Sequence, residues 1–411
     1  MTTATGSSNA KMWLVILGAV VLALPGLVLR LGHLEPMGTI ADTLVYGLAI
    51  VACAFMLAWA AEASEVEISA GLATAVVALI AVLPEYAVDM TFAWKAGQDP
   101  AFAPFAIANM TGGNRLLIGA AWPLVFFIFW YRARRSVLQL EHGHAIEVIA
   151  LAAAAVYSFS LPLKGTIALY DTVILAAIFI TYVYLVSKHE TSEPDLIGPS
   201  KTIGELPQLQ RRIVLVAMFL YAALVILASA DPFAEGLIVT GELLGIDRFL
   251  LVQWFAPLAS EAPEFLFAAI LAWRGRAAIA MGVVVSSAVN QWTLLVGGLP
   301  IAFALSSQTL QGLPLDGRQM EEVLLTAAQC TFAVAVVLSL SISLTEASLL
   351  VGLFALQFLI PFEGFRLGMA VLYLVMTAFI VVRQRKLIPG LFRLARGGQP
   401  PAADQATSPT G

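Results

Sequence analysis

Two glutamates stand where an apolar chain has little reason to place a charge. Glu85 lies in Leu83-Pro84-Glu85-Tyr86 and Glu264 in Ala262-Pro263-Glu264-Phe265, each inside a long hydrophobic run. Each is followed by Ala-Trp and a base, Ala93-Trp94-Lys95 and Ala272-Trp273-Arg274. A carboxylate at membrane depth costs roughly 3 kcal/mol or more and normally faces a bundle interior or an aqueous pathway. The adjacent proline adds a second cost, because it cannot donate a helical hydrogen bond. Pro84 would leave the carbonyl of Ile80 unbonded and Pro263 that of Ala259, so each helix is expected to bend or break there. Exposed backbone at that depth is tolerated only where it lines a cavity. Carboxylates with carbonyl oxygens are hard donors, the kind that Ca2+ or Na+ selects. A protonated glutamate linking two helices would explain one such motif. The duplication favours a pair of metal-binding carboxylates, Glu85 and Glu264.

The neighbours offer more oxygen. Asp89 lies one helical turn after Glu85 on the same face, and Ser260 and Glu261 precede Glu264. Carboxylates that close do not both ionise easily in a low dielectric, a strain that a dication or a proton relieves. The alternative is that Asp89 and Glu261 reach a helix end and solvent. The next apolar run of each copy is also seeded with polar residues. The first holds Asn109, Thr111, Asn114 and Arg115; the second holds Ser286, Ser287, Asn290, Gln291 and Thr293. Ser287 and Gln291 are four apart and share a helix face. Asn109, Ser287, Asn290 and Gln291 can act as neutral cation ligands or as interhelical hydrogen-bonding groups. Arg115 stays charged. It either pairs with Asp89 or a site glutamate as a built-in cation, or stands at the N-terminal end of a helix facing water.

Composition names the solvent around these residues. Of 411 residues, 60% are hydrophobic and 12% charged, against about 25% charged in soluble chains. The fold class is therefore all-α, a polytopic membrane protein with the lipid bilayer as its surroundings. A formal net charge of −5 gives no footprint for nucleic acid. Cys53 and Cys330 sit in apolar runs and make neither a metal-ligand spacing nor a disulfide framework. His142 and His144 read as a solvated loop. Apolar runs of spanning length occur near 12–32, 40–62, 69–94, 101–131, 145–163, 167–187, 212–243, 248–273, 277–306, 322–342, 346–360 and 366–383, about 12 helices. The first reads as a retained helix rather than a signal peptide.

The hydrophilic stretch 188–211 divides the chain. Overlaying the two Pro-Glu segments gives a tail and extra helix (1–38), a first five-helix repeat (39–187), the linker (188–211), a second five-helix repeat (212–362) and a C-terminal extra helix (363–396). The tail 397–411 and the Ser/Thr/Gly-rich N-terminus read as disordered. An odd number of helices per repeat makes the second copy enter the membrane inverted. Arg132, Arg134, Arg135, Lys188, Arg211, Arg212, Arg383, Arg385 and Lys386 fall on one side. That bias predicts cytoplasmic termini and a cytoplasmic linker. The lack of long regulatory domains fits a bacterial inner (plasma) membrane.

The duplicated pattern resembles the sodium/calcium exchanger superfamily, cation/calcium antiporters with two inverted α-repeats. That family's repeat runs G-T-S-L-P-E, then G-N-x-x-G-S-N-x-x-N and an apolar L-G ending. Here the first copy reads Ala81-Val82-Leu83-Pro84-Glu85, then Ala108 through Asn114, then Leu116-Leu117-Ile118-Gly119. The second reads Ser260-Glu261-Ala262-Pro263-Glu264, then Gly282 through Gln291, then Leu294-Leu295-Val296-Gly297. The resemblance implies that Glu85 and Glu264 are the central ion carboxylates, with Ser287 and Gln291 as further ligands. The first copy departs from the pattern. Ala81-Val82 replace Thr-Ser, residues are inserted around Gln98-Asp99-Pro100, and the Ser and Asn positions fall either on Asn109 and Gly113 or on Gly113 and Leu117. Fewer oxygen ligands argue against a three-Na+ stoichiometry more than against Ca2+.

The implied function is antiport of Ca2+ against Na+ or H+ by alternating access, with inorganic cations as partners and no cofactor beyond the transported ions. The alternatives are a proton-coupled monovalent cation antiporter with Arg115 as a built-in charge, and a cation channel. An enzyme is disfavoured. Tyr170-Asp171 lacks a Gly-x-Gly-Asp partner, and the chain has no Asp-x-x-Asp, His-Glu-x-x-His or Gly-x-Ser-x-Gly. The oligomeric state stays open, a homo-oligomer included.

Overall fold

The apolar runs become helices in the computed structural model, which describes residues 3–32, 37–64, 66, 82–188, 196–360 and 362–395. Among the described residues, 10 helices are long and apolar enough to cross a membrane, and Leu344–Leu359 is a shorter apolar helix. The expected run 69–94 is represented by Leu83–Gln98; residues 67–81 and the tail from 396 lie outside the described residues. The protein is an integral membrane protein. One expectation needs correction: the Ser/Thr/Gly-rich N-terminus, read as disordered, continues the first helix, Thr3–Leu31. The chain is nearly all-helical as expected; among the described residues, four strands of two or three residues form two antiparallel ribbons. The hydrophilic stretch also carries structure. Residues Pro199–Gly204 are helical, the Ser200 hydroxyl donates to the Glu62 carboxylate, and the next helix starts at Gln208.

The chain forms two compact units that interleave the sequence halves, one of residues 1–92 and 190–263, the other of 93–189 and 264–411. Both Pro-Glu helices, Leu83–Gln98 and Arg248–Trp273, therefore contribute to each unit. In the first unit, Thr39–Ser64 lies along Gln208–Leu244. Small residues allow the approach: a Cβ on Gly47 would come within 2.9 Å of the Phe233 ring, and one on Gly236 would meet Thr43. Thr3–Leu31 joins them through Gly26, where a Cβ would meet that of Ala49 at 2.8 Å. Lipid gives helices no hydrophobic reason to associate, so contact of this closeness is what holds them together.

The second unit repeats itself. Helices Ala103–Leu116 and Ala277–Asn290, π-helical turns Leu117–Ala121 and Gln291–Leu295, and helices Trp122–Ala133 and Val296–Ser307 follow one another at a single constant interval in sequence. Each series ends on a left-handed residue, Arg134 (φ 54°) and Gln308 (φ 55°). One residue further out of step, Gly165 and Leu340 also share a left-handed backbone. The helices that follow, Leu169–Val186 and Leu344–Leu359, are capped alike. The Asp171 carboxylate accepts from Ala168 N at 2.6 Å, and that of Glu346 accepts from Ser343 N at 2.8 Å. The ribbons are reciprocal. The first strand of the earlier copy, Val137–Gln139, pairs with the last strand of the later one, Ser341–Ser343; Thr166–Ile167 pairs with Leu313–Pro314.

Candidate cation site

The described part of the first Pro-Glu helix begins at Leu83, which puts Pro84 in the first turn, where its missing N–H costs little. Glu85 and Asp89 follow on one face and are 2% and 3% exposed. Asp89 therefore does not reach solvent. Of the bend or break expected at Pro263, the break does not occur, since Arg248–Trp273 is one helix through both Pro257 and Pro263. Each proline deletes a single donor and the flanking turns keep theirs. In addition, the Ser260 hydroxyl donates back to the carbonyls of Ala256 (3.2 Å) and Pro257 (3.4 Å), which steadies the turn between the prolines. That bond commits the hydroxyl proton and leaves the Ser260 oxygen as an acceptor. Ser260 and Glu261 are both 2% exposed, so Glu261 is buried as well. Gln253, also buried, lies two turns before Ser260 on the same face and was not anticipated.

The following helices carry the neutral donors. Asn109 and Gln291 are buried, and so is Asn290. Among the described residues, Asn109 Oδ1, Ser287 Oγ and Glu264 Oε2 are buried without a hydrogen bond. Thr111 and Thr293 differ: their hydroxyls bond the carbonyls of Ile107 (2.7 Å) and Val289 (2.6 Å) in their own helices. Asn114 donates to Met110 O at 2.9 Å. The constant interval between copies decides the alignment that sequence left open. Gly113 stands at the position of Ser287 and Leu117 at that of Gln291, each opening a π-helical turn or lying one helical turn before it. The copies cross here. Ala103–Leu116 touches Gln291–Leu295, and Ala277–Asn290 touches Leu117–Ala121. The two L-G endings also acquire a reason. A Cβ on Gly119 would overlap Phe354 of Leu344–Leu359, and Gly297 lies against Thr172 of the related helix Leu169–Val186, whose hydroxyl bonds its carbonyl at 2.7 Å. Among the described residues no three His, Cys, Asp or Glu side chains converge as a metal cluster. A cation held here therefore needs hydroxyl, amide and backbone oxygens beside carboxylates.

Arg115 corrects both readings made of it. It lies in the last turn of its helix, not the first, and is 2% exposed. Its Nη2 donates to Glu322 Oε2 at 2.6 Å. Arg366 extends the array, donating to Glu321 at 2.7 Å and lying 3.8 Å from Glu322. Gln329 donates to the Arg115 carbonyl at 3.3 Å, and Gln357 to Gln329 at 2.7 Å. This network was missed because Glu321-Glu322 opens an apolar run and reads as its wet edge. The available signal was two adjacent acids followed one and two turns later by Thr326 and Gln329 on the same face. At the position of Arg115 the second copy has Val289, which is fully buried; the position that answers Glu322 falls on Glu147 or Val148, because the interval changes by one residue between Arg134 and Gly165.

The chain is similar to known proteins. A profile described as "Sodium/calcium exchanger protein" matches residues 40–188 and 214–362. The solved structure of an H+/Ca2+ exchanger, CAX, is 43% identical with a TM-score of 0.90, over 94% of this chain and 98% of that one. Native YfkE is 16% identical with a TM-score of 0.59, over 85% and 98%. The sodium-calcium exchanger NCX_Mj is 15% identical with a TM-score of 0.51, over 78% and 98%. The last two share the fold alone. No curated protein matches the chain. Paired buried carboxylates, a duplicated helix–π-turn–helix and two matched segments on either side of one linker lead to one conclusion: the chain belongs to the sodium/calcium exchanger protein family and is a membrane transporter, not an enzyme.

Proposed function

We propose that the protein exchanges Ca2+ for H+ by alternating access, with Glu85 and Glu264 as the central ion carboxylates. The observation that carries this reading is the set of buried oxygens left without a hydrogen bond: Glu264 Oε2, Ser287 Oγ and Asn109 Oδ1. Native proteins pair almost every buried polar atom, so these unpaired oxygens are suited to a ligand that supplies positive charge. Asp89, Ser260, Glu261, Asn290 and Gln291, all buried, complete the proposed donor set. Coupling follows from occupancy: a carboxylate that holds Ca2+ cannot hold a proton, so the ions must alternate.

Two features favour H+ over Na+. The first copy places Gly113 and Leu117, which offer no side-chain oxygen, where the second places Ser287 and Gln291. That removes the donors that additional Na+ ions would need. The relative with 43% identity is an H+/Ca2+ exchanger. Arg115 is bonded to Glu322, which argues against its serving the site as a built-in charge. The architecture we infer has 12 spans. They are the ten long helices, Leu344–Leu359 and the segment ending in Leu83–Gln98, arranged as inverted repeats 39–187 and 212–362 around the linker, with one extra helix at each end. The matched segments 40–188 and 214–362 support these boundaries. The positive-inside bias supports cytoplasmic termini. The test is 45Ca2+ uptake into proteoliposomes under an imposed pH gradient and, separately, an imposed Na+ gradient. Uptake driven by ΔpH alone is expected; uptake driven only by Na+ would replace H+ with Na+ as the coupling ion.

A further inference from the structure

Helices Ala145–Ser158 and Leu169–Val186 line an open cavity of about 460 Å3. Its walls are aliphatic, among them Ile149, Ala153, Ile174 and Ala177, and Ala395 closes one end. The polar groups in the lining are already used. The Thr181 hydroxyl donates to Ala177 O at 2.7 Å, and the Tyr182 hydroxyl is 2.7 Å from Ser286 Oγ. A cavity whose polar atoms are spent holds no ordered water. Both helices are candidate membrane spans, and Val156, Val173 and Ile180 beside the cavity are exposed apolar residues whose surroundings are acyl chains.

Two exposed bases, Lys188 and Arg393, lie near the end of the cavity at Leu185 and Ala395, where the one acid on the lining helix Ala145–Ser158, Glu147, stands 3.6 Å from His144. Lys188 lies one turn beyond Leu185, is exposed, and stands 4.2 Å above the Tyr184 ring. Arg393 is exposed on the short helix Ile388–Ala395, which packs against Ala145–Ser158. That helix buries Leu391 and exposes Phe392, the pattern of a segment lying in the membrane interface. We propose that this cavity is a binding site for one anionic phospholipid, with an acyl chain between the two helices and the headgroup phosphate at Lys188 and Arg393. The chain's own tail does not suit the cavity: beyond Arg396 it has no apolar residue larger than proline.

Native mass spectrometry of the purified protein, titrated with dioleoyl-phosphatidylglycerol or dioleoyl-phosphatidylcholine, tests this. One phosphatidylglycerol is expected to bind more tightly than phosphatidylcholine. Lys188→Gln/Arg393→Gln should lower that preference by roughly 30-fold, the weight of two basic residues near an anionic surface. Ala177→Trp, which fills the cavity, should remove binding of both lipids. Equal affinity for the two lipids, or phosphatidylglycerol binding unchanged in the double-charge variant, would overturn the proposal. So would a dimer that Ala177→Trp dissolves, since a second copy would then be the occupant. The charge variant alters only exposed residues and decides the matter even if Ala177→Trp fails to fold.

Discussion

The pair Arg115–Glu322 offers a quantitative test, because both partners are buried and bonded to each other. Both side chains are 2% exposed and bonded at 2.6 Å. Removing one partner of a buried ion pair costs about 3–5 kcal/mol, whereas replacing both by apolar groups of similar volume is often neutral. The position that answers Arg115 in the second copy, Val289, is fully buried, so an apolar residue fits there. Arg115→Met should fall near the lower bound, about 3 kcal/mol, because Arg366 remains 3.8 Å from Glu322. Glu322→Leu strips the bonded carboxylate from a buried guanidinium and should approach the upper bound, about 5 kcal/mol. The double variant should recover at least about 2 kcal/mol of the summed losses. Unfolding of the detergent-solubilised protein, read as a double-mutant cycle, measures each term. Strictly additive losses would refute the reasoning, and so would single variants within about 0.5 kcal/mol of the parent. Because the pair neutralises itself, the folded double variant should also keep the parent's ion preference.

Two further outcomes follow from local geometry. Ser287→Ala should raise the KM for Ca2+ roughly tenfold, about 1.4 kcal/mol for one lost oxygen donor, with little change in stability; uptake kinetics in proteoliposomes read this directly. Thr293→Ala, whose hydroxyl is spent on its own helix at 2.6 Å, should change KM far less, and equal effects from the two would remove Ser287 from the site. Gly236→Val forces a side chain into Thr43 and should destabilise by about 1–3 kcal/mol through overpacking. A melting curve unchanged by that substitution would mean that the two helices are not held by close contact.

Much of this was legible in the residues. Apolar run length sufficed for the ten long helices found among the described residues, since the bilayer admits few alternatives, and the duplicated Pro-Glu is what named Glu85 and Glu264, whose role is the proposal to be tested. The break predicted at Pro263 failed because proline removes only one donor, while Ser260 adds a bond from its side chain in the same turn. The ribbons were invisible: strands such as Thr166–Ile167 are too short to carry a period, and they form by pairing with the other copy. Arg115 pointed to a carboxylate partner, but the choice among acids depended on how Gly317–Val336 packs against Ala103–Leu116, which no local spacing encodes. The register between copies was hidden because the first Pro-Glu helix runs 13 residues past Glu85, to Gln98, and the second only 9 past Glu264, to Trp273. Asp99 then caps the turn Pro100–Phe102 in the first copy.

The central claim is that Glu85 and Glu264 bind the transported cation. Uphill 45Ca2+ uptake into proteoliposomes, driven by an imposed pH gradient, should be compared for the parent protein, Glu85→Gln and Glu264→Gln. Glutamine keeps the shape of the side chain and removes its charge. The account predicts gradient-driven uptake by the parent and none above empty vesicles by either variant, with parent-like melting of all three in detergent. Uptake at the parent rate by either folded variant would contradict it.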